Sequence, residues 1–358
     1  MITLAPHDML ASSLNAAQTN LVSVSDKWIL SSALQKLIRR GMAAQSIAAA
    51  IRLHQLDPAY LRKRLPIVVL EDIGLADLAV CRQVLEACSS AKFWGDRADQ
   101  TIVLLISTMA SALKSRAACD AFCLTEVHLD RVRILSHLLK LPRNELIDIA
   151  CDEGAIVDRL YALRVLGGIR GDNYETISRC DLEALGTIAQ TLRLPYEIGW
   201  LMARQPKTEG LAAMLPIVYE LSKNGIVCEG TEFPNAMDFV AGVPLCSLDQ
   251  YTRVGKAALR EFYGASEPVR AFTQLHVRGR AQPLINLAMF QVESCVLDRF
   301  LSTPALDHLK KLTDDAEMVS TGMGNASHRE GLYDLLRAEA DRLAEIRVRL
   351  IRQLSESA

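Results

Sequence analysis

Apolar positions recur every three or four residues along most of this chain, the period of helices with one buried face. The pattern begins at Lys27. A first segment sets Leu34, Leu37 and Ile38 on one side, can start at Ser31 or Ser32, and stops at Gly41. A second, near 44–56, presents Ile47, Ile51 and Leu53. Asp57-Pro58 then reads as an N-cap followed by a first-turn proline, whose missing N–H costs nothing there. Inside that third helix, Pro66 predicts a bend or a restart. Further helices are expected near 76–91, 98–114, 116–139, 143–151, 154–166, 181–192 and 195–204, with a linker over 205–210.

Gly225, Gly230, Pro234, Gly242 and Pro244 break the rhythm, so 225–250 reads as an irregular insertion with room for a strand at 226–228. Helices resume near 248–263 and 281–301, and 320–327 has a linker's composition. A final amphipathic helix, 329–354, carries the stripe Leu332, Leu336, Ala340, Leu343, Ile346, Leu350 and Leu354. Glu339 interrupts its heptad, so the helix must dock on its own domain or on a neighbouring subunit. The implied fold is all-α, a multi-helix bundle with a second helical domain. Its parts are an arm (1–26), a helical domain (27–204), a second, mostly helical domain (211–319) and a C-terminal helix (329–358).

Composition supports this. Half of the 358 residues are hydrophobic but only 5% are aromatic, a balance that favours helix packing over a β-sandwich. Nine cysteines without a C-x-x-C pair suit a reducing cytoplasm. The first 25 residues lack a secretory signal's basic start and apolar core, and the longest uncharged apolar run, 101–113, is too short for a bilayer. A cytoplasmic protein with no membrane partner is expected.

The net charge of −2 hides strong local imbalance. Between Trp28 and Arg64 stand seven bases against one acid, Asp57. Lys36, Arg39 and Arg40 fall within one sector of a helix and, with Arg62 and Arg64, are the candidate nucleic-acid contacts. A second basic stretch includes Arg253, Lys256, Arg260, Arg278 and Arg280. There Asp249-Gln250-Tyr251-Thr252 opens a helix, and Arg253, Lys256, Arg278 and Arg280 are candidates for holding a phosphate, against the plainer reading of a capped helix with surface bases.

Other chemistry is weaker. Cys119 and Cys123 lie one turn apart with His128 beyond, but a second ligand pair for a metal is missing. Glu71, Asp72 and Asp77 read as a structural charge network, partnered by Lys36, Arg39 or Arg40, rather than catalytic carboxylates. Arg64 and Glu71 share a face, but their separation of two turns argues against direct contact.

These same residues carry a family resemblance. Asp57-Pro58, the bases Arg62 to Arg64, and Glu71-Asp72-Ile73-Gly74-Leu75-Ala76-Asp77 resemble the helical C-terminal region of RarA/MgsA proteins, clamp-loader-like AAA+ ATPases. Ser32-Ala33-Leu34-Gln35-Lys36 is similar to that family's S-A-[LF]-H-K. Ala112-Leu113-Lys114-Ser115, followed by Ala121-Phe122, is similar to its A-P-K-S-N…A-F, with Leu113 in place of proline and Arg116 in place of asparagine. The resemblance spans about 30–125 and implies a collar-like helical bundle that oligomerises, with Asp57, Glu71, Asp72, Gly74, Asp77 and Lys114 as structural motif residues.

The family's ATPase module has no counterpart in these residues. Val254-Gly255-Lys256-Ala257 lacks the hydroxyl that would hold magnesium, and Gln250 stands where a phosphate loop has its first glycine. The expectation is a non-enzymatic accessory protein of DNA replication, recombination or repair, homo-oligomeric, without cofactor or metal, with DNA and an ATPase in trans as partners. The alternative is an enzyme or nucleotide-binding protein with its site around Asp249–Arg280, which the convergence of Asp249, Tyr251, Arg253, Lys256, His276 and Arg278 on one pocket would favour.

Overall fold

The computed structural model describes residues 21, 24–91, 94–171, 175–204 and 208–356. Most of the expected 1–26 arm and the start of the 205–210 linker lie outside these. The fold is all-α: among the described residues there are 18 helices, the structure is 70% helical, and the sheets are small and antiparallel. Eleven helices form the first half: α1 Lys27–Arg39, α2 Ala43–Leu56, α3 Pro58–Asp72, α4 Leu78–Cys88, α5 Ala98–Ser111, α6 Ala117–Val127, α7 Arg131–Leu138, α8 Arg143–Cys151, α9 Ile156–Gly167, α10 Leu182–Thr191 and α11 Tyr196–Met202. The second half holds α12 Leu215–Leu221, α13 Arg253–Ala265, α14 Glu267–His276, α15 Ala281–Met289, α16 Pro304–Ser320, α17 Arg329–Ala338 and α18 Ala340–Glu356.

Local chemistry sets these boundaries. Asp26, not a serine, caps α1 by accepting from the Trp28 amide at 2.8 Å, which leaves Ser31 and Ser32 inside the helix. Gly41 follows the helix with φ +67°, and a Cβ there would strike Asp298 Oδ2. Asp57 caps α3 through the Tyr60 amide at 3.0 Å, and Asp77 caps α4 through Val80 at 3.1 Å. Helix α3 runs through Pro66 without restarting. The segment expected as one helix over 116–139 is two, because His128 adopts an extended ψ of 137° between α6 and α7.

The main core is built by the first-half helices together with Leu215, Ile217 and Val218 of α12, with Leu30, Leu34, Ile47, Leu65, Val68, Leu105 and Leu163 fully covered. Helix α16 lies along α6 and adds Leu306 and Leu309 to this core. A second core gathers Leu259 and Phe262 of α13, Leu284 and Ile285 of α15, and Leu332, Leu336, Leu343 and Ile346 of the last two helices. The amphipathic stripe of 329–354 is therefore spent inside the molecule. That segment is also broken at Glu339 into α17 and α18, and the Leu354 side chain lies outside the described residues.

Between α9 and α10, β1 Ile169–Arg170 pairs antiparallel with β2 Thr176–Ser178, and the 225–250 insertion contains β3 Ile226–Glu229 and the hairpin β4 Phe239–Val240 with β5 Val243–Pro244. Strand β3 pairs antiparallel with β6 Arg299–Ser302, Ile226 facing Ser302 and Glu229 facing Arg299. The other edge of β6 bonds Lys114, whose N–H donates to Arg299 O and whose carbonyl accepts from Leu301 N. One short strand thus stitches the second half to the motif-bearing first half. The 320–327 segment is a turn between α16 and α17, with Gly322 at φ +106° and Met323 bridging Val277.

Candidate functional site

A cleft of about 760 Å³ opens between the two halves. One wall is the motif-bearing part of the chain: Gln35, Lys36 and Arg39 of α1, Arg64 and Glu71 of α3, and Arg116, Cys119 and Asp120 at the start of α6. The other wall comes from Asp249, Tyr251 and the segments 287–301, 306–317 and 330–337.

Along the first wall the charges interlock. Asp72 is fully buried and receives Arg39 Nε at 2.7 Å, Arg116 Nη1 at 2.9 Å and Gln35 Nε2 at 2.8 Å. Burial alone would raise its carboxyl; the two guanidiniums outweigh it and hold the group below the usual range. Gln35 and Arg116 occupy two positions where the sequence departs from the resembled family's motifs, and both side chains land on this one carboxylate. Arg39 also donates to the Ser294 carbonyl at 2.6 Å, tying the network to the far half.

Lys36 and Asp249 form a second buried pair, with the Ser32 hydroxyl donating to the same carboxylate. The Phe290 ring lies 5.3 Å from Lys36 Nζ. Gly255 makes this corner possible: a Cβ there would sit 1.9 Å from Asp249 O, so only glycine lets α13 approach the Asp249 backbone. The glycine that sequence compared with a phosphate loop serves close packing.

The expected open patch of Lys36, Arg39 and Arg40 is corrected by these contacts. Lys36 and Arg39 are 2% and 1% exposed, and the Arg40 guanidinium is covered while it grips Glu232 at 2.6 and 2.8 Å. A charged side chain that finds a buried counter-ion across the fold is lost to the surface. Arg62 is half-buried; Arg64 is also half-buried and does touch Glu71, at 3.3 Å, because the two long side chains close the two-turn gap. Of the remaining motif residues, Asp57 and Asp77 are caps, and Asp57 also accepts from Lys27 at 2.8 Å. Gly74 takes φ +46° in the turn after α3. Lys114 is buried, donates to Ala110 O at 2.9 Å and lies 3.7 Å from Asp298; burial lowers its pKa against the pull of that carboxylate.

In the second half the cleft takes only part of the predicted set. Asp249 and Tyr251 line it, whereas Arg253, Lys256, His276 and Arg278 do not. Thr252 caps α13 by accepting from Gly255 N at 3.0 Å, leaving Arg253, Lys256 and Arg260 on the exposed face of that helix. Arg278 and Arg280 are exposed around the turn after α14. Cys119 and Cys123 have sulfurs 3.9 Å apart, while His128 packs against Tyr161; among the described residues no group of three His, Cys, Asp or Glu is placed to hold a metal ion. No described helix is long and apolar enough to cross a membrane.

Sequence reasoning missed the cleft's third component, a polar cluster on α16. Glu317 accepts from Gln291, whose carbonyl oxygen accepts from the Tyr333 hydroxyl at 2.5 Å. Burial, with Asp314 close by, pushes Glu317 up to about 7. Asp120, facing it from α6, is raised too, chiefly by burial. The available signal was Asp314 and Glu317 at i,i+3 on an amphipathic helix that sequence left unassigned.

Residues 49–142 match the family model described as MgsA AAA+ ATPase C terminal, a segment of about a quarter of the chain that includes α3 and its acidic motif. No curated protein and no solved structure matches the chain.

Proposed function

We propose that this chain is a non-enzymatic accessory protein of DNA replication, recombination or repair. It acts in the cytoplasm as a homo-oligomer that contacts nucleic acid and works beside an ATPase supplied in trans. The setting rests on the 49–142 match and on the motif residues around it. Oligomerisation is assigned to the earlier helices, because the apolar stripe of the last two is already buried in the second core.

The observation that carries DNA contact is the outer face of α13. Arg253, Lys256 and Arg260 follow at i, i+3 and i+7, all exposed, and none makes an ion pair with a described residue. A row of unpaired bases on one helix face is what phosphate contact needs. Duplex affinity measured across a salt series for the intact chain and for R253A/K256A/R260A tests it. Loss of three phosphate contacts flattens the slope by about 2.7 logarithmic units. An unchanged slope in the triple variant removes α13 from the interface.

A second reading, a small-ligand site that includes Asp249, is favoured by one observation: Asp249 and Tyr251 share the cleft with the motif residues of α1 and α3.

A further inference from the structure

The cleft between the halves contains charges that its own walls leave unmatched. Each of its six lining bases already has an acid: Lys36 has Asp249, Arg39 and Arg116 share Asp72, Arg64 has Glu71, Lys310 has Asp314 and Arg337 has Asp334. The acids are not all so provided. Asp307 is held by the Ser302 hydroxyl, and Glu330 by Arg329. Glu317 receives only the Gln291 amide, and the Asp120 carboxylate makes no hydrogen bond or ion pair with a described residue.

These two carboxyls lie on helices that pack side by side. Thr313 of α16 donates to the Asp120 carbonyl at 3.0 Å, which fixes α6 against α16 at this level. Asp314 lies near both, but Lys310 engages it at 2.7 Å. Burial disfavours the charged forms of Asp120 and Glu317 and outweighs the pull of Lys310 and Arg116 on Asp120 and of Arg116 on Glu317, yet neither carboxyl has a described cation in direct contact. Beside them the cleft turns apolar, with Leu287, Phe290, Leu297 and Leu301 in its lining. A volume near 760 Å³ lies within the range of small-molecule sites.

We propose that this cleft binds a small organic cation, an amine, amidine or guanidinium on an apolar body, whose charged head is paired by Asp120 and Glu317. An anionic ligand would need a base without a partner, and the lining has none among the described residues. A metal ion would need three converging ligands, and no such group is present among those residues. An organic cation needs only hydrogen-bond acceptors in a dry, charged recess, with apolar walls for the rest of it.

This inference is independent of the nucleic-acid reading, since its residues are not those of α13. Calorimetric titration of the intact chain tests it, using benzamidine and benzylamine against the neutral isosteres benzamide and benzyl alcohol. A blocked arginine amide, run alongside, tells whether a protein side chain can supply the same head group. The cations are expected to bind at least about tenfold more tightly than the isosteres, and D120N and E317Q each to lose about tenfold, the worth of one charge-assisted hydrogen bond. Melting curves confirm that each variant is folded, and either variant alone suffices. Equal binding of cation and isostere, unchanged affinity in a folded variant, or no cation binding at millimolar ligand overturns the proposal.

Discussion

Asp72→Asn removes one negative charge from beneath two guanidiniums while keeping the side chain's size. Arg39, 1% exposed, and Arg116 then lose their shared counter-ion, although Arg39 keeps the Ser294 carbonyl. Breaking a buried pair by removing one partner costs about 3–5 kcal/mol, because the orphaned charge cannot return to water. Unfolding entropy near 2.1 cal/mol/K per residue gives a 358-residue chain about 0.75 kcal/mol/K, so Tm should fall by about 4–7 °C. The pH dependence has a definite sign. The folded carboxyl is held below its usual value, so its contribution is present at neutral pH and lost as pH falls through the folded value. Thermal melts of both proteins at pH 7 and at acid pH should therefore show a gap that closes in acid. A Tm within about 1 °C of the parent at pH 7 would refute the view that this network holds the motif helices together.

Other perturbations separate packing from binding. G255A forces a Cβ onto the Asp249 backbone and should destabilise by about 1–3 kcal/mol in urea unfolding; a neutral effect would mean that α13 can shift away. E293Q leaves buried Arg347, which holds that carboxylate at 2.5 and 2.8 Å, without its counter-ion, and should cost about 3–5 kcal/mol. Glu317 is raised to about 7 in the fold, so it contributes a penalty that grows as pH rises from its unfolded value, near 4.3, through 7. E317Q should accordingly gain stability relative to the parent at pH 8 but not at pH 4.5, and equal gaps at both would contradict that. Truncation near Gly324 strips Leu332, Leu336 and Leu343 from the second core, and should lower cooperativity and raise aggregation in light scattering rather than yield a clean change of oligomer size.

Periodicity made most helices of the first half legible where a local boundary signal stood beside it, Gly41 after α1 and the N-caps Asp57 and Asp77 before α3 and α4, whereas the break at His128 inside 116–139 left no such signal. The strand near 226–228 was also visible, but its partner at 299–302 was not, since pairing across some 75 residues leaves no local trace. The same limit explains the basic patch. Nothing near Lys36 in sequence announces that Asp249, 213 positions away, will bury it. Charge counting finds clusters of bases, and only the fold says which are already paired. The cleft, made from α1, α3, α6 and α16 together, is for that reason a property of tertiary structure.

Whether this chain contacts nucleic acid is decided by fluorescence anisotropy of the intact protein with labelled duplex and single-stranded DNA as salt is raised. Saturable binding is expected at low salt, with the logarithm of the association constant falling by about 0.9 per phosphate contact on duplex and about 0.7 on single strands for each tenfold rise in salt. No binding to either form at low salt by folded protein would contradict it.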